Sequence, residues 1–450
     1  MQLVAYGAQD IYLTGNNPQM TYFKSVFRRH TNFSIESIKQ AFNGNISTEE
    51  FSVESIISRS RDLVSNMWIE ATLPSVNNTS STATYTNWCN NTGCAFLKEC
   101  EIDIGGSQID KHNSLWNDIY NELYIDKTNN SLINKKTSNT YVKHGSPNHT
   151  NILHLNIPLH FWFTKNKGSS LPLIALQYHE VTLKCKFRAL KNLVVTDNAT
   201  ISFNTKPSIE LWVDYIFLEQ EERKRFAQTK HAYLIEQLQY HKEELTSSYG
   251  NINLKFHHPV KELIWVFTNK KRILEINTEN TAADPLDFSP KRLDPSGETI
   301  GSNGKESSNS GNNYFNYQMT AGTNTFITSS TSGSCINGSN YVEHFDNMKI
   351  KINGHDRFSP RNAVYFRTIQ PIQANHKIPS KHIYCYTFSL TPYDYQPSGT
   401  CNFSRLDSVE LEFNNMGTPF EKNDRNINVF AINYNLLQIA SGLGGLVFSN

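Results

Sequence analysis

His344-Phe-Asp346 has the spacing of two ligands in the facial triad that holds non-haem iron, with His376 or His382 available as a third. Alternate residues of a strand point the same way, so the geometry is feasible. With 15 histidines and 41 acidic residues, however, such triplets arise by chance, and a surface or loop histidine is the plainer reading. Cys89, Cys94 and Cys100 are separated by four and five residues, wider than most structural zinc knuckles, and no histidine follows until His112. Buried or loop thiols explain them better. His144, His149, His154 and His160 are scattered through a polar stretch and the strand after it, and take no ligand role. Gly301-Ser-Asn-Gly304-Lys305-Glu306 lacks the Ser/Thr and the glycine spacing of a phosphate loop, and Gly442-Leu-Gly444-Gly445 has no strand–helix context. Neither a G-x-S-x-G elbow nor H-E-x-x-H occurs. Arg28-Arg29-His30 and Lys270-Lys271-Arg272 are short, and local salt bridging accounts for them more economically than nucleic-acid binding. The sequence therefore offers no catalytic, cofactor-binding or metal-ligating residue, and no cofactor.

The elements that would position such residues are strands. Short apolar or alternating runs, bounded by Asn, Gly, Pro and Ser, recur at Met67–Leu73, Leu159–Phe163, Glu180–Phe187, Glu262–Phe267, Ile383–Phe388 and Val409–Phe413. Aromatic residues reach 12% while charged residues are only 18%, a balance that favours strands over long solvated helices. Many short strands without interleaved long helices indicate antiparallel sandwiches or barrels. One segment reads as helix: Glu219-Gln-Glu-Glu-Arg-Lys-Arg-Phe-Ala-Gln places acids before bases, as the helix dipole prefers. It lies near the midpoint and serves as a connector. Polar stretches 75–92, 126–151 and 280–340 read as long loops; 295–340 within the last is expected to add little to either core, so that deleting 300–332 should be tolerated.

Length and charge narrow the function. At 450 residues the chain suggests two or three domains, and 42 Lys+Arg against 41 Asp+Glu argue against a protein that wraps nucleic acid with basic arms. The N-terminus lacks the pattern of a secretory signal, no window is long and apolar enough for a membrane span, and seven cysteines suggest free thiols folded in a reducing compartment. Sequons at Asn45, Asn77, Asn90, Asn148, Asn198 and Asn337 fall mostly in the polar stretches.

The second half repeats the first. Trp68-Ile69 matches Trp265-Val266; Ile102, Ile104 and Gly106 match Ile350, Ile352 and Gly354; Ile157-Pro158 matches Ile378-Pro379. Val181-Thr-Leu183 then matches Val409-Glu-Leu411, and Trp212–Tyr215 matches Ala431–Tyr434. The order is kept while the spacings vary, so a tandem duplication of an all-β domain is expected.

The segment Val4–Phe33, with Gly15-Asn16-Asn17-Pro18-Gln19-Met20-Thr21-Tyr22-Phe23 within it, closely resembles the opening of the major capsid proteins of nucleocytoplasmic large DNA viruses, a group that includes phycodnavirus, mimivirus and iridovirus members. The resemblance continues in Leu171–Val181, Trp212–Leu218, Tyr233–Gln239, Pro397–Asp407 and the ending Asn433–Gly445, and so covers the whole chain. It departs at the extra Asn of Gly15–Pro18 and in 280–340. The resemblance implies an all-β double jelly roll: an N-terminal arm over 1–25, a first eight-stranded antiparallel sandwich over 26–218, a helical linker over 219–239 and a second sandwich over 240–450. It implies a non-enzymatic capsid protein that forms a homotrimer, a pseudo-hexagonal capsomer tiling an icosahedral shell in the virion. Neighbouring capsomers and minor capsid proteins at the inner face are the implied partners. An internal membrane lies nearby but is not spanned, and nucleic acid is not bound directly. The implied arm contacts neighbours, and the long loops form outward towers that carry glycans in some members. The rival readings are a metal-dependent jelly-roll oxygenase built on His344 and Asp346, and a carbohydrate-binding sandwich.

Overall fold

The computed structural model describes residues 8–15, 17–59, 61–78, 86–89, 91–125, 152–196, 201–245, 250–269, 314–315, 319–320, 341–379, 381–414 and 425–448. In the first half the main strands are β1 (Phe33–Gln40), β2 (Phe51–Ile56), β3 (Leu63–Leu73), β4 (Leu97–Ile104), β5 (Ser107–Asn113), β6 (Leu153–Pro158), β7 (Val181–Phe187) and β8 (Ser208–Leu218). In the second half they are β9 (His231–Leu245), β10 (Gly250–Asn253), β11 (Pro259–Asn269), β12 (Asn347–Ile352), β13 (His355–Asp356), β14 (Tyr384–Thr387), β15 (Val409–Asn414) and β16 (Arg425–Ala440).

These strands pair antiparallel into two sheets per half. The order β1-β8-β3-β6 lies over β2-β7-β4-β5, and β9-β16-β11-β14 lies over β10-β15-β12-β13. Adding eight to every strand number of the first half gives the second half. The expected duplicated all-β architecture, a double jelly roll, is therefore present strand for strand. Period-two patterning explains why these segments are strands: β2 reads buried–exposed throughout, and β15 alternates Val409, Leu411 and Phe413 inward with Glu410 and Glu412 outward. β11 behaves differently because both of its faces are covered. Leu263, Trp265 and Phe267 enter the second core, while Ile264 and Val266 pack against the first half, which is why the segment reads as an unbroken apolar run.

Strand register corrects part of the expected repeat. The β4–β5 turn has Gly105 and Gly106 at φ 59° and 80°, and the β12–β13 turn has Asn353 and Gly354 at 50° and 78°. Both are two-residue hairpins that need positive φ, so this match holds to the residue. Val181–Leu183 and Val409–Leu411 also hold, since Leu183 opposes Ile102 and Leu411 opposes Ile350. Trp68 and Trp265 lie on corresponding strands but on opposite faces. β-Bulges near Ser65 and Lys261 fix the true alignment, in which Trp68 corresponds to Ile264, and Trp212 to Phe430 rather than to the residue after it. Ile378-Pro379 precedes β14 outside any strand; Cys385, not Pro379, takes the place of Pro158.

The linker also differs from expectation. Helix covers only α2 (Gln220–Gln228), while β9 begins at His231 and pairs residue by residue with β16 to its end. Ile235 and Gln237 are buried on β9, and the fifteen-residue ladder outweighs any helical tendency there. Stretch 75–92 is not simply loop: Val76–Asn78 pairs with Ile201–Phe203 and Thr86–Trp88 with Val194–Thr196, and Trp88 and Cys89 are buried. Stretch 126–151 lies outside the described residues, as does most of 280–340.

Within 280–340, Tyr314 and Phe315 are buried in the first core, with the Arg188 guanidinium 5.5 Å from the Tyr314 ring and the Lys381 ammonium 5.7 Å from the Phe315 ring. This overturns the expectation that the stretch adds little to a core. Phe315→Ala should destabilise by about 3–5 kcal/mol, the usual cost of emptying a buried phenyl site. Deleting 300–332 should lower the urea midpoint by a comparable amount, whereas Ser307→Ala should leave it unmoved. An unchanged midpoint for Phe315→Ala would contradict this placement.

Candidate functional site

Of the residues singled out for metal chemistry the fold brings His344 and His382 together, their rings edge to face at 5.5 Å, but it adds neither Asp346 nor His376 to them. His344 is buried, stacked on Phe267 at 4.8 Å, whereas Asp346 two positions on is exposed because the chain bends before β12 begins. His376 turns instead to Glu262 at 2.8 Å, and His382 lies 3.7 Å from Glu343. Cys89, Cys94 and Cys100 are all buried in the first core; Asn121 donates to Cys94 Sγ, and His112 pairs with Asp110 at 3.0 Å. Among the described residues, no group of three or more His, Cys, Asp or Glu side chains is placed to hold a metal ion. Arg28, Arg29 and His30 are exposed, and Lys270–Arg272 lie outside the described residues. Among the sequons, Asn45 is exposed, Asn77 donates to Asn204, and the other four lie outside the described residues.

The chemistry of the molecule is concentrated where its two sandwiches meet. Helix α1 (Ser114–Leu123) follows β5 and is buried along its whole length. Asn113 caps it by accepting from Trp116 N–H at 2.8 Å, which fixes where its side chains point. Trp116 packs on Phe430 of β16 at 5.6 Å, and Tyr124, just past the helix, stacks on Tyr393 at 5.1 Å. Tyr124 donates to Glu262 at 2.9 Å, and the same carboxylate bonds His376, so a Tyr–Glu–His chain runs through the seam. Burial first, and then the Glu262 charge, pushes the Tyr124 phenol well above its ordinary value.

Two further ionic links cross the seam. Lys381 donates to Asp118 of α1 at 2.7 Å. Lys261, the bulge residue of β11, turns inward to Glu236 of β9 and Pro392 O, and Lys165 from the first half meets the same Glu236. Burial would raise the Glu236 carboxyl, but the two ammonium groups hold it below the ordinary value. Burial pulls Lys261 down to about 8. Pairs this deep hold the halves in one register more than they add net stability. The sequence signal for this cluster is Lys261-Glu262, two charges at the head of an otherwise apolar strand.

The opposite surfaces are open. The first sandwich's sheet β1-β8-β3-β6 is the counterpart of the sheet that forms the seam, yet its outer face carries Trp68 stacked on Trp212 at 6.3 Å, both half-buried, among Lys39, Glu70, Glu210 and Asp214. Residues 11–15 and 17–32 are exposed, including Tyr12, Leu13, Tyr22, Phe23 and Phe27, and Phe23 is fully so. A soluble monomer rarely presents this much apolar surface without a partner for it. Among the described residues no helix is long and apolar enough to cross a membrane.

Comparison with known proteins agrees with this architecture. Residues 21–219 match the family described as major capsid protein N-terminus, and residues 222–445 match the large eukaryotic DNA virus major capsid protein family. The chain is 36% identical to the major capsid protein of Pyramimonas orientalis virus and 34% identical to that of Paramecium bursaria Chlorella virus 1, in both cases over 100% of this chain and 99% of the relative. Capsid protein 1 of Acanthamoeba polyphaga mimivirus is 30% identical over the same shares. Among solved structures, the PBCV-1 virus capsid superposes with a TM-score of 0.72 at 30% identity, covering 96% of this chain and 100% of the other. The Faustovirus major capsid protein shares the fold with a TM-score of 0.70 at 13% identity, over 97% and 94% of the two chains. With both halves matched and the duplicated sandwich present strand for strand, the chain belongs to the major capsid proteins of large eukaryotic DNA viruses.

Proposed function

We propose that this capsid protein works without catalysis, by closing three copies into a pseudo-hexagonal capsomer that tiles an icosahedral shell. The observation that carries the reading is the asymmetry of the two sandwiches. The outer sheet of the second is covered by the first half of the same chain, while the equivalent sheet of the first faces solvent. A surface used once within a chain and left open once invites head-to-tail association, which closes into a ring when the rotation allows. Six similar sandwiches in such a ring require three chains. The N-terminal arm, about residues 1–25, then serves contacts beyond the ring, to neighbouring capsomers or to minor capsid proteins at the inner face. A net charge of +1 suits a protein set apart from the genome by a membrane that it does not span.

Light scattering on purified protein at micromolar concentration should give three times the 51.4 kDa chain mass, unchanged by EDTA. Removing residues 1–20 should keep that mass but abolish shell or sheet assembly. A one-chain mass, or dissociation by chelator, would contradict the proposal.

A further inference from the structure

The seam inside the chain is a template for the contact between chains, and it identifies which element should meet the open sheet. In the first half the covering element is α1, entered through the Asn113 cap, and its Trp116 lies on Phe430. In the second half a helical segment stands at the same place in the fold, between β13 and β14. It contains a π-helical turn, Tyr365–Ile369, followed by Gln370–Gln373. Asn362 caps it as Asn113 caps α1, accepting from Tyr365 N–H at 3.0 Å. The sheet ladder agrees: Asn113 opposes Glu99, and Asn362 opposes Asn347, which is the counterpart of Glu99. Trp116 therefore corresponds to Tyr365, and Tyr120 to Ile369.

The two helices differ in what covers them. All of α1 is buried, whereas the outward side of the second segment leaves Val364 at 42%, Ile369 at 43% and Ile372 at 54% exposure. Its inward side is anchored, with Phe366 fully buried 5.4 Å from Trp265, so the apolar stripe is held on a rigid support. The π-helical turn adds a residue relative to an α-helix, a device often kept where a helix must present a particular side.

We infer that Val364, Ile369 and Ile372 dock onto the outer face of sheet β1-β8-β3-β6 of a second copy of this chain, over its Trp68–Trp212 pair. Trp212 is the counterpart of Phe430, the residue that receives Trp116 within the chain, and Trp68 that of Ile264 beside it. Charge supports the same pairing. The receiving face carries Glu70, Glu210 and Asp214 against Lys39, and the helical segment is preceded by the exposed Arg361, whose guanidinium lies 5.3 Å from the Tyr365 ring. The contact is heterologous, which the proposed ring requires, and so this inference rests on the trimer proposal above.

Two singly substituted copies, Ile369→Cys and Glu210→Cys, are coexpressed with different tags and treated with a short bismaleimide under native conditions. A cross-linked band carrying both tags, absent when either substitution is omitted, is the expected result. In parallel, the double variant Ile369→Glu, Ile372→Glu should shift from three-chain to one-chain mass while keeping its far-ultraviolet circular dichroism and a cooperative urea transition, its midpoint lowered by the lost association. Wild-type protein of one-chain mass would overturn the trimer itself. A three-chain wild type with no mixed cross-link would overturn this docking while leaving the trimer standing, and the cross-link decides the matter even if the double variant fails to fold.

Discussion

Removing residues 430–450 is expected to abolish soluble folded protein. β16 is the second strand of its sheet, flanked by β9 and β11, and its two faces serve different cores. Ile427, Val429 and Ala431 point into the second sandwich, while Phe430, Ile432, Leu437 and Ile439 fill the seam with the first. The truncation takes Phe430, Ile432, Leu437 and Ile439 together with the closing pair of Leu443–Leu446 on β16. Each large buried side chain contributes about 1.5–3 kcal/mol, so four of them approach the whole stability of about 5–15 kcal/mol typical of a domain. Unpairing β9 and β11 adds to that loss. Phe430→Ala alone should cost about 3–5 kcal/mol and should loosen both halves at once, because Trp116 and Tyr240 rest on its ring at 5.6 and 5.0 Å. Soluble expression and urea unfolding of the two variants, beside the 1–20 deletion as a tolerant control, provide the check. A soluble, cooperatively unfolding 430–450 deletion would show that the seam is not structural.

Acid should destabilise the chain from about pH 6.5 downward, well above the range where carboxylates titrate. His160 is stacked on Tyr120 at 4.1 Å beneath the seam, and burial, with His112 and Lys165 nearby, lowers it from 6.5 to about 3. His382 lies beside Tyr384 in the second sandwich; burial lowers it to about 4, with Arg367 adding to the shift and Glu343 opposing it. Both folded values lie below the unfolded one. The unfolded chain therefore binds more protons below pH 6.5, and stability that is complete above that point is lost as pH falls toward 4 and 3. Each histidine steepens the loss by about 1.4 kcal/mol per pH unit. Glu236, held below its ordinary value of 4.5 despite burial, adds to the loss at the acid end. Urea midpoints measured from about pH 7.5 to about pH 4.5 should fall steeply, and His382→Gln should flatten part of the slope. A midpoint independent of pH across that window would contradict neutral burial of these rings.

What could be read in the sequence follows from what period-two patterning encodes. Most strand segments, the helix beginning at Gln220 and the duplicated turn were legible, the turn because Ile102, Ile104 and Gly106 specify both a face and a positive φ; Leu159–Phe163 was the exception, its aromatic run leading into the short helix Trp162–Lys165. Register was less so. Trp68 and Trp265 look alike in sequence, yet one lies on an outer face and the other in a core, because the bulges near Ser65 and Lys261 set each alignment and leave no pattern of their own. The strand at His231 is hard to tell from helix in the sequence because it follows closely on α2 and its alternating Leu, Glu and Gln suit either state. Tyr314 and Phe315 were lost in a Ser- and Gly-rich stretch whose composition says loop, although two adjacent aromatics there were the clue. The seam was invisible for a different reason. Tyr124, Glu262 and His376 are separated by more than a hundred residues at each step and meet only because the second sandwich packs on α1.

Class averages of negatively stained, purified protein test the central claim most directly. Three copies of a two-sandwich chain should give a particle with six lobes and a hexagonal outline, its two lobe types alternating. A two-lobed particle the size of a single chain, under conditions where the protein is folded, would contradict the account.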